Sequence, residues 1–278
     1  MSLLVVQGPK IPLNAPSELA AITGARLVEQ NRAGVLRLLD IQNQDGLATY
    51  CKTHGLDHTL LERPRRLSEF KVLTMDMDST LITIECIDEI ADFAGVKPQV
   101  AAVTEAAMRG ELDFPSALRR RVSLLAGLPE SVLKQVYEER LRLSPGAETL
   151  LAAAKKAGLK TLLVSGGFTY FVQQLGKRLG LDATLANELE IHSGRLTGQV
   201  LGKIVDAQAK ADRMASFCQE LGCSTREALV LGDGANDLKM MALSGFSVAF
   251  RAKPVVQQQA TAALNFCGLD GVLNWLEV

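Results

Sequence analysis

The sequence predicts an α/β protein with a mostly parallel sheet, a helical insertion within it and a small α+β unit before it. From Ser144 onward, short apolar runs alternate with helical segments, which is typical of parallel strands joined by right-handed crossovers. Residues 84–143 show helical spacing throughout. Residues 1–68 follow the order strand, helix, strand, strand, helix, strand. We therefore divide the chain into residues 1–68 and residues 69–278, with an inserted segment at about 84–143.

Composition limits the class of protein. The length of 278 residues suggests about two domains, and 47% hydrophobic with 22% charged residues can form a substantial core. The net charge of −1 argues against nucleic acid as the main partner. The five cysteines include no CxxC pair, which favours free thiols in a reducing compartment. With no secretory signal pattern and no apolar run near ~18 residues, we expect a cytoplasmic protein without a membrane partner.

The N-terminal unit, residues 1–68, has the element order of ferredoxin-like modules. Its predicted elements are strand Leu3–Gln7, helix Pro16–Thr23, strands Ala25–Gln30 and Val35–Asp40, helix Gln42–His54 and strand His58–Leu61. The pattern resembles the ACT-type regulatory domains that bind small amino acids. Because no ligand motif stands out, we favour a packing or homodimerisation role over amino-acid sensing. The basic run Arg63–Arg66 is predicted to be a solvated linker.

Two carboxylates follow the first strand of the larger unit. The apolar run from Val72 to Met75 is long enough for one buried strand, and Asp76 and Asp78 come directly after it. Side chains two residues apart on an extended chain point to the same side, so the pair should lie together at a ligand-binding sheet edge. A cation such as Mg²⁺, or a shared proton, would relieve their repulsion. On its own, this spacing fits an acidic turn equally well.

The inserted segment, at about 84–143, is predicted to be a helical cap over the strand ends. Its predicted helices are Cys86–Phe93, Gln99–Met108, Phe114–Leu124 and Glu130–Leu141, separated by glycine-containing breaks.

Alternating strands and helices complete the sheet. The predicted elements are helix Pro145–Ala157, strand Lys160–Val164, helix Thr169–Leu179, strands Ala183–Leu185, Glu188–His192 and Arg195–Leu201, helix Ala207–Leu221, strand Ala228–Leu231, a final strand Ser247–Phe250, and helices around Val255–Thr261 and Leu269–Trp275.

Polar clusters follow three of these strands. They are Asp76 with Asp78, then Ser165-Gly166-Gly167, then Asp233 with Asn236 and Asp237; Lys210 lies on the helix before the last cluster. This order resembles the four motifs of the haloacid dehalogenase superfamily of phosphatases over about residues 69–278. Lys203 and Arg213 are neighbours that could replace Lys210, but the sequence around Lys210 is the most similar to the family pattern.

The resemblance implies phosphoryl transfer through an aspartyl-phosphate. Asp76 corresponds to the nucleophile, and Asp78 to the acid that protonates the leaving group and then activates water. Asp76, the backbone carbonyl of Asp78, and Asp233 would bind Mg²⁺, with Asp237 supporting the metal site from outside the coordination shell.

The resemblance also implies a phosphate-binding set. Ser165, the amide of Gly166 and the ammonium of Lys210 would hold the phosphate oxygens. Asn236 is placed to contact the phosphate or the rest of the substrate.

The cap segments Ala107–Gly110 and Asp113–Leu125, together with Glu85, resemble those of the phosphoserine phosphatases. Under this resemblance Glu85 would pair with the substrate ammonium, and Arg121 would hold its carboxylate in a bidentate fork. Met108 and Phe114 would form an apolar wall that excludes water. The expected substrate is therefore O-phospho-L-serine in serine biosynthesis. Another small phosphorylated metabolite, used by a phosphatase or a phosphotransferase, is the alternative.

Overall fold

A computed structural model describes residues 3–277. Its main sheet has seven strands in the order β12-β11-β10-β6-β7-β8-β9, and every neighbouring pair except β8 and β9 is parallel. The strands are β6 Val72–Met75, β7 Lys160–Phe168, β8 Ala183–His192, β9 Arg195–Leu201, β10 Ala228–Gly232, β11 Phe246–Phe250 and β12 Ala262–Leu264. The chain leaves β6 on one side and returns on its other side at β10, so the strand order reverses at β6. A crevice forms outside the sheet at such a reversal.

Helices cover this sheet and its carboxyl edge. Four lie between β6 and β7, in the segment predicted to be a cap: α3 Cys86–Phe93, α4 Lys97–Met108, α5 Phe114–Ser123 and α6 Ser131–Gln135. The others are α7 Ala147–Lys156, α8 Thr169–Leu179, α9 Ala207–Glu220, α10 Leu238–Leu243 and α11 Pro254–Gln257. Within residues 3–277, none is both long and apolar enough to cross a membrane.

The structure corrects several predicted boundaries. Strand β7 continues through the glycines to Phe168, because Phe168 still pairs with Asn187 of β8. The two short strands predicted at 183–192 are one strand. Ser247–Phe250 is not the final strand, since β12 follows β11. The helix predicted from Gln42 begins only at Leu47, because Gly46 has φ +80 and interrupts a right-handed helix.

The N-terminal unit has the predicted strand and helix order. Its strands are β1 Leu3–Gln7, β2 Leu27–Arg32, β3 Val35–Leu39 and β4 Asp57–Leu61, and its helices are α1 Ala15–Thr23 and α2 Leu47–Thr53. The sheet is antiparallel in the order β2-β3-β1-β4. Leu4 and Val6 face the helices, whereas Leu3 and Val5 join the core of the larger unit. The alternation of a strand thus places an apolar surface on both faces of this sheet.

The linker is more ordered than the sequence predicts. Strand β5, Arg65–Arg66, pairs with β13, Leu276–Glu277. The guanidinium of Arg65 lies 4.5 Å from the ring centre of Phe70 and donates a 2.7 Å hydrogen bond to the carbonyl of Gly245. A solvated connector was therefore wrong for Arg65, whose planar cation packs on an aromatic ring.

Asp57 fastens the N-terminal unit to the C-terminal segment. Its carboxylate is 2% exposed and accepts hydrogen bonds from three consecutive backbone amides, those of Asn265 at 2.6 Å, Phe266 at 3.1 Å and Cys267 at 2.9 Å. Three N–H donors offset the cost of burying a carboxylate. Trp275, also in the C-terminal segment, is buried against Phe246.

Candidate active site

Three parallel strands place the polar clusters at one edge of the sheet. β6 lies between β7 and β10, in register with both. Asp76 follows β6, Ser165 lies near the end of β7, and Asp233 follows β10. The sheet thus brings together residues that are far apart in the sequence, as the motif pattern predicts.

Lys210 is buried among the acidic groups. Its Nζ lies 2.5 Å from Oδ1 of Asp76 and 2.8 Å from Oδ1 of Asp237, and its side chain has no exposed surface. Burial lowers the pKa of Lys210, but Asp237 and Asp76 outweigh it and raise that pKa above its usual value. Lys203 is exposed, and Arg213 pairs with Glu220 at 2.7 Å. The geometry therefore favours Lys210 over both alternatives.

Asp76, Asp233 and Asp237 form a carboxylate cluster that could hold a metal ion. One oxygen from each lies within 4.8 Å of the others. Burial raises the pKa of Asp76 well above its usual value, although Lys210 opposes this, and burial together with Asp237 raises the pKa of Asp233 to about 6. Close carboxylates at such a site favour a cation between them. We call Asp76, Lys210, Asp233 and Asp237 the floor of the site.

Asp237 lies next to Asp76 and Asp233, with one oxygen within 4.8 Å of theirs. Its support of a metal from outside the coordination shell stays a prediction. Its Oδ2 also accepts hydrogen bonds from the amides of Asp233 at 3.2 Å and Gly234 at 3.1 Å. The local turn after β10 therefore fixes Asp237 and Asp233 together.

Asp78 lies apart from this cluster. Its Oδ1 accepts a 2.9 Å hydrogen bond from the amide of Cys86, and its Oδ2 accepts a 3.4 Å hydrogen bond from Ser165 Oγ. Burial raises the pKa of Asp78, the direction that the predicted acid role requires. A Cβ added to Gly167 would lie 2.4 Å from Asp78 Oδ2, so only glycine allows this close approach.

Residues of the inserted helical segment close one side of a cavity of about 160 Å³ above the floor. We call Glu85, Phe114 and Arg121 the cap wall. These three residues line the cavity together with Asp76, Asp78, Gly166, Asp233 and Asn236, and with apolar side chains such as Ile87 and Leu118. A Cβ on Gly166 would lie 2.9 Å from the ring of Phe114, which shows how closely the cap approaches β7.

Arg121 and Glu85 bring opposite charges to the cap wall. Nε of Arg121 is buried and has no hydrogen-bond partner within residues 3–277, and burial lowers the pKa of this guanidinium. Glu85 accepts a 2.6 Å hydrogen bond from Ser79 Oγ. Although Glu85 is open to water in the cavity, partial burial and the charge of Asp78 raise its pKa to about 7. A buried, unsatisfied guanidinium N–H is suited to a ligand anion.

A sequence profile of the haloacid dehalogenase-like hydrolases matches residues 73–242, a range that includes all of these clusters. The chain belongs to this family. The phosphoserine phosphatase of Polaromonas sp. is 53% identical over 214 residues, which is 75% of this chain and 91% of that protein.

Solved structures of similar proteins agree with this membership. A crystal structure of a probable phosphoserine phosphatase from Vibrio cholerae has a TM-score of 0.84 at 40% identity, and covers 99% of this chain and 86% of that chain. A substrate-bound phosphoserine phosphatase has a TM-score of 0.70 at 36% identity, and covers 75% of this chain and 99% of that chain. The resemblance to the phosphoserine phosphatases and the α/β fold of the larger unit are therefore confirmed.

Four predicted site residues of this hydrolase do not line the cavity: Ser165, Lys210 and Asp237 are buried, and Met108 lies outside it. Met108 is 65% exposed and does not belong to the cavity lining, whereas Phe114 does. The Met108 sulfur instead lies 3.6 Å from Nζ of Lys253, at the end of α4. The apolar wall in this structure is therefore Phe114 without Met108.

The sequence did not predict the contacts of three residues that support the site of the hydrolase. Thr80 donates a 3.3 Å hydrogen bond to Asp233, and the amide of Cys86 reaches Asp78. Asn187 donates to the carbonyl of Gly166 at 2.8 Å and accepts from the amide of Val205 at 2.8 Å. Because the sequence predicts a break between residues 185 and 188, it offers no signal for Asn187.

Proposed function

We propose that this chain hydrolyses O-phospho-L-serine to L-serine and inorganic phosphate. The observation that carries this proposal is the cap wall, where Arg121 and Glu85 present opposite charges above the floor. Phosphoserine carries a carboxylate and an ammonium on one carbon, and a phosphate ester on the next. The matched relatives named phosphoserine phosphatases support the same substrate.

In the first step, a carboxylate oxygen of Asp76 attacks phosphorus, and the bond from phosphorus to the serine oxygen breaks. Asp78 donates its proton to that leaving oxygen, which releases serine and leaves an aspartyl-phosphate. Asp78 then accepts a proton from a water molecule that attacks the same phosphorus. The bond from phosphorus to the Asp76 oxygen breaks, which releases phosphate and regenerates Asp76. The ammonium of Lys210, 2.5 Å away, supports Asp76 as an anion despite its burial.

The phosphate oxygens are held by groups around the end of β7. We assign them to the hydroxyl of Ser165, the amide of Gly166, the ammonium of Lys210 and the amide group of Asn236. The hydroxyl of Ser165 already accepts a 2.8 Å hydrogen bond from the amide of Gly167, which fixes its position. Donors fixed in advance need no reorganisation during the reaction.

We propose Mg²⁺ as the cofactor, because carboxylate and carbonyl oxygens are the ligands that this cation prefers. Asp76, Asp233 and the backbone carbonyl of Asp78 would bind it, with Asp237 beside them. When bound, the cation neutralises the charge that develops on the phosphoryl oxygens. Loss of activity in EDTA, and its return with Mg²⁺, would test this assignment.

The cap wall binds the carboxylate and ammonium of the substrate. The guanidinium of Arg121 has a free N–H for the carboxylate, and Glu85 faces the same cavity for the ammonium. Phe114 covers the end of β7, where water would compete for the phosphoryl group. The reaction would be the last step of serine biosynthesis.

Phosphate release from a panel of small phosphomonoesters tests the proposal. We expect phosphoserine to give a kcat/KM well above that of O-phosphoethanolamine, which lacks the carboxylate, and of 3-phosphooxypropanoate, which lacks the ammonium. Equal turnover of all three esters would contradict the substrate assignment and would favour a phosphatase or phosphotransferase of another metabolite.

We also propose that residues 1–68 form an ACT-like, ferredoxin-like module separate from the phosphatase unit at 69–278, in which residues at about 84–143 form the cap. The antiparallel order β2-β3-β1-β4, with helices against one face, supports this. Strand β2 is at the edge of the sheet, and Leu27 in it is 46% exposed, which supports homodimerisation there. Light scattering on the full chain would contradict this dimer if it gave a monomer mass.

A further inference from the structure

Helix α9 ends in a defined hydrogen-bonded turn outside the active site. Gly222 has φ +68, and its amide donates to the carbonyl of Gln219 at 3.0 Å. The next amide, that of Cys223, donates to the carbonyl of Cys218 at 2.9 Å. These two bonds are the 5→2 and 6→1 bonds of a Schellman motif.

This motif places two particular side chains against each other. In a Schellman motif, the third residue from the helix end commonly contacts the second residue beyond the cap, usually through apolar groups. Here those two positions are Cys218 and Cys223, and the side chain of Cys223 packs against the apolar cluster that contains Cys218. The helix end thus places the two thiols next to each other.

The two thiols differ in their access to solvent. Cys218 is 1% exposed, whereas Cys223 is partly exposed, and both belong to one apolar cluster. Burial and the neighbouring Cys223 raise the pKa of Cys218 to about 12, so Cys218 remains a protonated thiol at neutral pH. A soluble oxidant therefore meets Cys223 first.

The other cysteines are in different surroundings. Among residues 3–277, the groups that act on the thiols of Cys51, Cys86 and Cys267 are carboxylates, those of Asp57, Asp78 and others. Within these described residues, Cys218 is the cysteine whose pKa is raised by another thiol, that of Cys223. We propose that Cys218 and Cys223 are a redox pair that closes to a disulfide when a hydroperoxide oxidises the protein.

The chemistry needs one molecule of peroxide. The sulfur of Cys223 attacks a peroxide oxygen, the O–O bond breaks, and a sulfenic acid and water form. The sulfur of Cys218 then attacks the sulfenic sulfur, the S–O bond breaks, and the departing hydroxide takes the proton of Cys218 as water. Two thiols and hydrogen peroxide give one disulfide and two waters. The bond fixes the last turn of the helix that carries Lys210, and it protects Cys223 from further oxidation.

Peptide mapping tests this directly. The folded, full-length protein is treated with hydrogen peroxide, its remaining thiols are alkylated, and it is digested with trypsin. Cleavage after Arg213 and Arg226 gives a peptide, residues 214–226, that contains both cysteines and no other. We expect this peptide to be unalkylated and lighter by two hydrogen atoms, and to take up two alkyl groups if dithiothreitol is added before alkylation.

Three variants serve as controls. In Cys223→Ser, Cys218 should remain a reduced thiol, because it is buried. In Cys218→Ser, Cys223 should instead accumulate as sulfenic or sulfinic acid, because its partner is absent. Cys267→Ser removes a thiol of similar exposure and should leave the disulfide yield at 214–226 unchanged.

Two results would overturn the proposal. The first is a wild-type peptide in which Cys223 reaches the sulfinic acid while Cys218 remains alkylatable. The second is disulfide formation that joins Cys223 to a cysteine other than Cys218. Neither readout depends on the phosphatase activity.

Discussion

The floor and the cap wall differ in whether their charged side chains are paired within the protein. In the floor, Lys210 neutralises Asp76 and Asp237 at 2.5 and 2.8 Å, and all three groups are buried. In the cap wall, Nε of Arg121 has no hydrogen-bond partner within residues 3–277, and Glu85 is open to the cavity. The floor is organised before any ligand binds, whereas the cap wall gains its charge partners from the ligand. We infer that the floor sets the chemistry and the cap wall sets the substrate.

The most severe test of the floor is Asp76→Asn. We expect kcat to fall on the order of 10³-fold or more, because an amide cannot act as the nucleophile. The fold should remain, since the asparagine keeps an oxygen for Lys210. Steady-state kinetics and circular dichroism measure the two effects. Asp212→Asn, an exposed change on α9, is the control; substantial activity in Asp76→Asn would remove Asp76 from the mechanism.

Lys210→Met should lower both the activity and the free energy of unfolding. A cap-wall variant, in contrast, should lower mainly the activity. The change leaves two buried carboxylates without their cation, at a cost on the order of 3 kcal/mol in the free energy of unfolding. Urea denaturation in EDTA measures that cost. Lys203→Met changes an exposed lysine and should alter neither property. An unchanged free energy of unfolding in Lys210→Met would mean that the buried ion pairs are not stabilising.

Arg121→Ala should affect binding more than folding. We expect kcat/KM for phosphoserine to fall about 10- to 100-fold, the effect of losing a charge-assisted hydrogen bond. The same change should leave kcat/KM for O-phosphoethanolamine nearly unaltered, because that ester has no carboxylate. The exposed neighbours allow matched controls, Arg119→Ala and Arg120→Ala. Equal losses with both esters would show that Arg121 acts through packing.

Glu85→Gln should give the smallest effect, and one that depends on pH. The folded-state pKa of Glu85 is raised to about 7 from 4.5, so its ionisation opposes folding. Its contribution is favourable below pH 4.5 and is lost as the pH rises to about 7. Metal-free Glu85→Gln should therefore have a slightly higher Tm than wild type at pH 8, and the same Tm at pH 4.5. A lower Tm at pH 8 would contradict the raised pKa.

The parts of the site that lie at strand ends could be predicted from the sequence. Asp76 and Asp233 each follow an apolar run, so strand propensity and sheet topology together place them at one edge. The identity of Lys210 came from the family resemblance, because spacing alone left Lys203 and Arg213 open. Roles assigned to these residues stay predictions until the variants are measured.

The parts that depend on tertiary contacts could not be predicted. The position of Met108 depends on how the cap lies against the body, and it packs near Lys253 instead of in the cavity. Strand β12, Ala262–Leu264, is only three residues long and is defined by its pairing with β11. Arg65 carries the same charge as its neighbours, and its contacts with the ring of Phe70 and the carbonyl of Gly245 distinguish it.

The contacts of Asp57 can form only late in the synthesis of the chain. The amides that hold its carboxylate belong to residues 265–267, and β5 pairs with residues 276–277. The ribosome makes these segments after the whole of the sheet that carries the site. Residues 1–68 are therefore made before residues 69–264, but make these contacts only after them. Until residues 265–277 have been made, the sheet and helices of residues 1–68 must keep this unit folded and protect it from aggregation.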